Sequence, residues 1–409
     1  MATIAFIEPT PVTLPYLQAA ARSLGCECLV ICGRGHYTAE SERYLDALQA
    51  IEADSASTDR LAAAIHREAS TGLAGITSTA DRFLRSACLL AAQFGVPGPD
   101  ATLLEMSDKG SAYQASPDSF PPTVLFDGRD PPIRLLTDKV REEGAFVCKP
   151  CRAAGGDGIV LVSTPEEVAR LPEQLDPRFI EQRWIAQCAV QGTLLSLEGY
   201  VISGAVRILG LSVRSRYGFS EVTNEFPRAG TAVGKEVEPA VGAIQRRFLQ
   251  ATGFRNGYFH SEYLLDSRGR AFLIDPNLGR IGGGGIFHQI VTSFSLTPEV
   301  VLAHVLDVTL FGQSHLDGER LYQSPCRPSY FVQYGLREAA RLVELRLPAP
   351  VTGAFHTTIA RPGAQLPAHG RNNRSQIGIV SGDPAQVKRF VEAIEIVTDT
   401  GTQRPFYGV

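Results

Sequence analysis

The stretch Gly257-Tyr-Phe-His260-Ser-Glu262-Tyr-Leu-Leu-Asp266-Ser-Arg-Gly-Arg270-Ala-Phe-Leu-Ile-Asp275-Pro-Asn277 carries most of the information in this chain. Two apolar runs flank a polar turn from Asp266 to Arg270, which predicts an antiparallel hairpin. Folding back at that turn sets Glu262 and Asp275 side by side. Adjacent carboxylates repel unless a cation lies between them, and Asn277 supplies an amide oxygen nearby. Magnesium suits such a set, because it takes hard oxygen ligands and completes its shell with phosphate and water. The alternative is a surface hairpin with one acid at its rim, but the apolar flanks favour acids that point into a cleft.

Immediately downstream stands Leu278-Gly-Arg280-Ile-Gly282-Gly283-Gly284-Gly285. Four glycines in a row suit neither helix nor strand; they form a flexible connector or a backbone that approaches a ligand closely. Their position just after the acids favours close approach, with Gly283 and Gly284 as substrate contacts. Arg280 offers a planar fork for a carboxylate or phosphoryl group, or else a surface ion pair. His260 shares the face of Glu262 and is a candidate for removing a proton from an amine, although strand histidines more often pack or hydrogen-bond.

Upstream, lysine is scarce: it occurs at Lys109, Lys139, Lys149, Lys235 and Lys388, and arginine supplies the remaining positive charge. Lys149 ends the apolar run Ala145-Phe-Val-Cys-Lys149, just before Pro150 and the loop Arg152-Ala-Ala-Gly155-Gly156-Asp157-Gly158. A lysine at a strand end beside such a loop suits polyphosphate, since glycines let backbone amides approach the oxygens while the ammonium neutralises them. An ordinary hairpin with a solvated lysine fits the same residues.

The 409 residues exceed one ordinary domain. Strand-like Thr3–Glu8, helix-like Thr58–Glu68, strand-like Gly75–Thr77 and helix-like Asp81–Phe94 alternate, predicting a parallel α/β lobe over 1–105. A strand-rich α+β body follows over 106–323, split at 185/186, and it contains a hairpin from Leu195 to Leu209 turning at Ser203-Gly204. Helical patterns recur over Val241–Thr252 and Pro298–Leu310. A short α+β section, 324–409, ends with a helix over Pro384–Ile394.

A net charge of -4 and a pI near 6.1 give no basic field for nucleic acid. The first residues show no leader pattern and no run is long enough to span a bilayer, so a cytoplasmic protein with no membrane partner is expected. Of eight cysteines, only Cys148 and Cys151 form a CxxC, without the second pair a zinc knuckle needs. Small buried thiols are expected.

In order and spacing these pieces resemble the ATP-grasp superfamily, and within it the amino-acid ligase branch. Gly72–Gly98 is similar to that branch's end of the N-terminal lobe, Asp108-Lys109 to its first nucleotide lysine, and Ala145–Ile159 to its strand-lysine-proline segment with a phosphate loop. Phe179–Trp184 resembles the adenine hinge, and Gly253–Gly285 the metal hairpin with its glycine-rich substrate loop. The resemblance implies a two-lobed ATP-grasp body and ATP held by Lys109, Lys149, Gly155, Gly156 and Gly158. It further implies adenine at Glu181 and at the backbone from Gln182 to Trp184, and one or two Mg²⁺ ions on Glu262, Asp275 and Asn277. Arg280 would steady an acyl phosphate. Glu8, ending the first strand, is a candidate for a substrate ammonium, and Gln187 and Gln191 for the ribose.

Two positions depart from the family pattern: Asp275 stands where glutamate is usual, and Arg280 lies three residues beyond Asn277. The implied reaction joins a small carboxylate, an amino acid or related acid, to an amine through an acyl phosphate, releasing ADP and phosphate. A homodimer is compatible with it. Carboxylases, nucleotide-precursor ligases and non-catalytic nucleotide binders remain open alternatives.

Overall fold

Parallel strands buried on both faces need continuous apolar runs, and the amino-terminal segments have them. Ile4, Ala5, Phe6 and Ile7 are fully buried in the strand Ala2–Ile7, which lies between Cys26–Cys32 and Leu73–Thr77 in a four-stranded parallel sheet completed by Gln49–Glu52. The helix Thr58–Glu68 is capped by Ser57, whose hydroxyl accepts from Arg60 N, and Asp81–Phe94 ends at Gly95 with φ +64°. The structure, a computed structural model, describes residues 1–408 except 70–71, 154–155, 219, 228–231, 314, 317, 324–326 and 371–374.

Two antiparallel sheets follow. The smaller has the order Thr123–Asp127, Arg183–Cys188, Phe146–Pro150, Val160–Val162. The larger runs Ala271–Leu278, Gly257–Asp266, Gly192–Ile202, Ala205–Tyr217, Ser220–Phe226, Ser329–Tyr334, Gly378–Gly382, Ala354–Thr358. The expected turn at Ser203-Gly204 is present, with φ of 51° and 86°, the paired positive values that match the twist of the flanking strands. Antiparallel connection of the remaining strands Gln365–Leu366, Ala340–Arg346, Glu395–Thr398 and Gly401–Gln403 gives a fourth sheet.

Three strands from 329–382 complete the large sheet rather than standing apart from it. Val332 faces Thr223 in register and Phe331 is fully buried, so the outer edge of Ser220–Phe226 is covered. The helix expected from Val241 begins earlier, at Ala232, because Pro239 lies inside it and hides the apolar period. The described cysteines are free thiols, all buried except the half-buried Cys188, and Cys326 lies outside the described residues. No single helix among the described residues is long and apolar enough to cross a membrane.

Buried histidines make the fold acid-sensitive. His288 stacks on Phe355 with ring centroids 4.3 Å apart, and the His304 ring meets the Tyr258 hydroxyl at 2.5 Å. Burial pushes their imidazoles down to about 3 and about 4. Unfolded, both titrate near 6.5. Below that pH the unfolded chain binds the extra protons, so stability is complete above about pH 6.5 and is lost as the pH falls toward 4. Urea unfolding should show a loss on the order of 3 kcal/mol per histidine between pH 7 and pH 4. A flat profile over that range would show that both rings are solvated.

Candidate active site

The hairpin Gly257–Asp266/Ala271–Leu278 has Glu262 directly opposite Asp275 and His260 opposite Asn277, so the four share one face of the large sheet. Register shifts just beyond Glu262, leaving Ile274 as an extra residue in its strand. Its carbonyl accepts a hydrogen bond from Lys149 Nζ at 2.8 Å. The bulge therefore docks the lysine of the small sheet onto the acid-bearing hairpin of the large one.

Lys109 reaches the same place from a helix. Asp108 caps Lys109–Ala115 by accepting from Gly110 N and Ser111 N, and its carboxylate also holds Arg152 at 3.0 Å and Arg183 at 2.9 Å. Lys109 Nζ then donates to Ala153 O at 2.8 Å and lies 3.4 Å from Asp275 Oδ1. Burial alone would lower its basicity, but Asp275 and Asp81 more than compensate and the ammonium is held above its ordinary value. Lys149 differs: burial pushes it down to about 8, with Asp275 only partly opposing and Lys109 repelling it. Phosphate oxygens arriving between the two lysines would relieve that repulsion.

Glu262 is held by cations of its own sheet. Arg214, on Ala205–Tyr217, lies 2.6 Å from Glu262 Oε1 and also pairs with Glu221. His260 donates from Nδ1 to Glu198 at 2.5 Å and has Nε2 3.4 Å from Glu262. Burial works against a charged ring here, but Glu198 and then Glu262 hold His260 at about 9, so it stands between them as an imidazolium. Arg214 and His260 drive Glu262 far below the usual carboxylate range despite its burial.

A cleft of about 510 Å³ is lined among others by Lys109, Arg152, Asp157, Asp275 and Asn277. Among the described residues no three His, Cys, Asp or Glu side chains converge as a self-sufficient metal site. Two half-exposed carboxylates and one amide are, however, the donor set from which magnesium is held together with substrate phosphates, so the residues fit an ion that arrives with a nucleotide.

No family model matches the sequence, and no curated protein does. Solved structures do resemble it. An L-amino acid ligase from Bacillus licheniformis has a TM-score of 0.74 at 17% identity, over 97% of this chain and 98% of that one. A biotin carboxylase from Campylobacter jejuni gives 0.71 at 14%, over 97% and 92%. A phosphoribosylglycinamide synthetase from Anaerococcus prevotii gives 0.68 at 13%, over 97% and 99%. The chain has the ATP-grasp fold.

On this ATP-grasp scaffold the expected residues divide into two groups. Lys109, Lys149, Glu262, Asp275, Asn277 and His260 come together, and in the loop after Lys149 Gly156 and Gly158 turn with φ of 77° and 74°. Gly155 lies outside the described residues. Arg280 is close by, donating to Asn277 Oδ1 at 3.0 Å and lying 3.3 Å from Asp81 Oδ1.

Of the segment expected to receive adenine, Phe179 lines the cleft, while the Glu181, Gln182 and Trp184 side chains lie elsewhere. Glu181 is 77% exposed and pairs with Arg129, Gln182 accepts from Arg152 N, and Trp184 is fully buried in the small sheet against Phe126. The chain instead passes from the small sheet to the large one over 189–191. Gln187, just before that passage, is buried, and its Nε2 has no hydrogen-bond partner among the described residues. Glu8 turns inward at φ 44°, where it accepts from Gly33 N at 2.7 Å and from Tyr37 OH at 3.2 Å and meets His36 Nδ1 at 3.1 Å. It is not among the residues lining the cleft.

Arg214, Glu221, Glu198 and Asp81 were not singled out from sequence. For Glu198 the only signal is a charge inside an otherwise largely apolar strand. The glycine run also splits in role. A Cβ on Gly282 would lie 2.6 Å from His260 Nδ1, and one on Gly285 2.6 Å from Phe331 Cβ, so these two let the loop close on the sheet. Gly283 and Gly284, together with Gly282, line a separate small chamber. Gly282→Ala should destabilise the protein by about 1–3 kcal/mol through this overpacking, measured by denaturant unfolding. An unchanged midpoint would mean that the loop lies further from His260.

Proposed function

We propose that the protein is an ATP-dependent ligase that activates a small carboxylate, an amino acid or related acid, as an acyl phosphate and joins it to an amine. The observation that carries this reading is the convergence of Lys109 and Lys149, from two different elements, on the strand pair bearing Glu262 and Asp275. That arrangement supports binding of a polyphosphate with its counter-ion, which a carboxylate requires for activation at neutral pH.

In the proposed sequence a carboxylate oxygen attacks the γ-phosphorus of ATP and ADP leaves with the electron pair of the broken P–O bond. The amine then attacks the acyl carbon, phosphate departs, and the amine nitrogen gives up a proton. Lys109 and Lys149 neutralise phosphate charge, and Arg280, oriented by Asn277 and Asp81, steadies the acyl phosphate. Glu262, Asp275 and Asn277 would hold one or two Mg²⁺ ions, which supply further charge neutralisation when bound. His260, already protonated between two carboxylates, is better placed to fix Glu262 than to take a proton.

The test is ADP release by the purified protein over pairs of amino acids and small carboxylic acids with ATP and Mg²⁺, followed by mass analysis of the products. An amide whose mass equals the two substrates less water supports the reading. ATP binding without ADP release from any pair would defeat it. The resemblance to biotin carboxylases supports one competing reading, a carboxylase, and bicarbonate-dependent turnover without an amine would favour that instead.

A further inference from the structure

Next to Arg280 lies a second hollow, a chamber of about 50 Å³. Gly283, Gly284 and Arg280 form one side, and the amino-terminal lobe contributes Thr10, Thr13 and Thr79. Its inner wall is apolar, built by Val12, Phe287, Leu302, Val305 and Leu306. Leu302, Val305 and Leu306 come from the helix Pro298–Leu306, and Thr309 from the wide turn Asp307–Phe311 that continues it.

Two features suit this chamber to a ligand of defined size and polarity. An engineered cavity of about 150 Å³ takes up benzene, so a chamber one third as large has no room for an aromatic ring but holds a short side chain. The Thr13 hydroxyl bonds those of Thr10 and Thr79 at 2.9 and 2.7 Å, whereas Thr309 Oγ1 is buried without a hydrogen-bond partner among the described residues. A buried hydroxyl without a partner is unfavourable, and a bound polar atom would satisfy it.

Resting on the ligase reading above, we infer that this chamber receives the side chain of the carboxylate to be activated. It selects a short side chain carrying one hydrogen-bonding atom, as in threonine, and excludes aromatic ones. The carboxylate of such a ligand lies toward Arg280, which is hydrogen-bonded to Asn277 in the nucleotide cleft.

Calorimetric titration of the full chain with threonine, its isostere valine, and phenylalanine, each with MgADP present, tests the assignment. Threonine should bind about five- to tenfold more tightly than valine, the worth of one net hydrogen bond, and phenylalanine should not bind. The conservative variant T309V should abolish the preference for threonine, and L302A, which widens the inner wall, should admit phenylalanine. Should L302A fail to fold, T309V carries the test alone. Phenylalanine binding as tightly as threonine, an unchanged threonine-to-valine ratio in T309V, or no binding at all would overturn the inference. Threonine binding without ADP release from any amine would defeat the ligase reading and leave the chamber assignment standing. ADP release with no ordering by side chain would do the reverse.

Discussion

Replacing Lys149 with methionine is expected to lower kcat/KM for ATP by about a hundred- to a thousandfold while leaving the unfolding free energy unchanged or higher. The two readouts move separately because the lysine is not at ease in the resting protein. Burial and the neighbouring Lys109 push it down to about 8, so its charge is held at a cost, while it donates to the carbonyl of Ile274. Methionine keeps the length and removes the charge, which relieves the resting protein and deprives phosphate oxygens of a preorganised donor. Coupled measurement of ADP release, alongside urea unfolding of both proteins, checks it. Retained activity would remove Lys149 from the phosphate site, and a large stability loss would make it a structural lysine.

Arg214→Leu should act on both quantities together. Arg214 is only 7% exposed and stands between Glu221 and Glu262, so its removal leaves two carboxylates facing each other in a poorly solvated place. Breaking such a buried arrangement by deleting one partner costs about 3 kcal/mol or more. Glu262 also loses the contact that fixes its position, and ADP release should fall at least about tenfold. Glu221→Gln, which keeps Arg214 on Glu262, should be much milder in both assays. If Arg214→Leu unfolds at the wild-type urea midpoint, the ion pairs are solvent-screened and contribute little.

What could be read along the chain was whatever lies close in sequence. The pairing of Glu262 with Asp275 needs one hairpin whose turn, Asp266 to Arg270, is written between them, and the observed register places them opposite each other. Likewise the turn at Ser203-Gly204 and the helices Thr58–Glu68 and Asp81–Phe94 are set by local conformational preference and apolar period. Motif order added the architecture, because short segments in a fixed sequence constrain how the strands can be connected.

Contacts between distant segments were not legible. Arg214 meets Glu262 because Gly192–Ile202 lies between their strands, and strand alternation tells which face a side chain takes but not what stands across it. The extra residue at Ile274 that receives Lys149 is a shift of one position, which leaves no mark in the apolar pattern. Asp81 and Arg280 are brought together by the packing of the amino-terminal lobe on the glycine loop. The partners of Glu8 are likewise distant in sequence: its carboxylate turns toward Gly33 and Tyr37.

Sequence by itself therefore determined the strand and helix classes and the acid-bearing hairpin, since each rests on forces acting within about twenty residues. Tertiary structure alone decided the cationic shell around Glu262, the passage between the two sheets at 189–191, and the chamber beside Arg280. These depend on sheet order and lobe packing, where the free energy belongs to pairs of segments and not to either one alone.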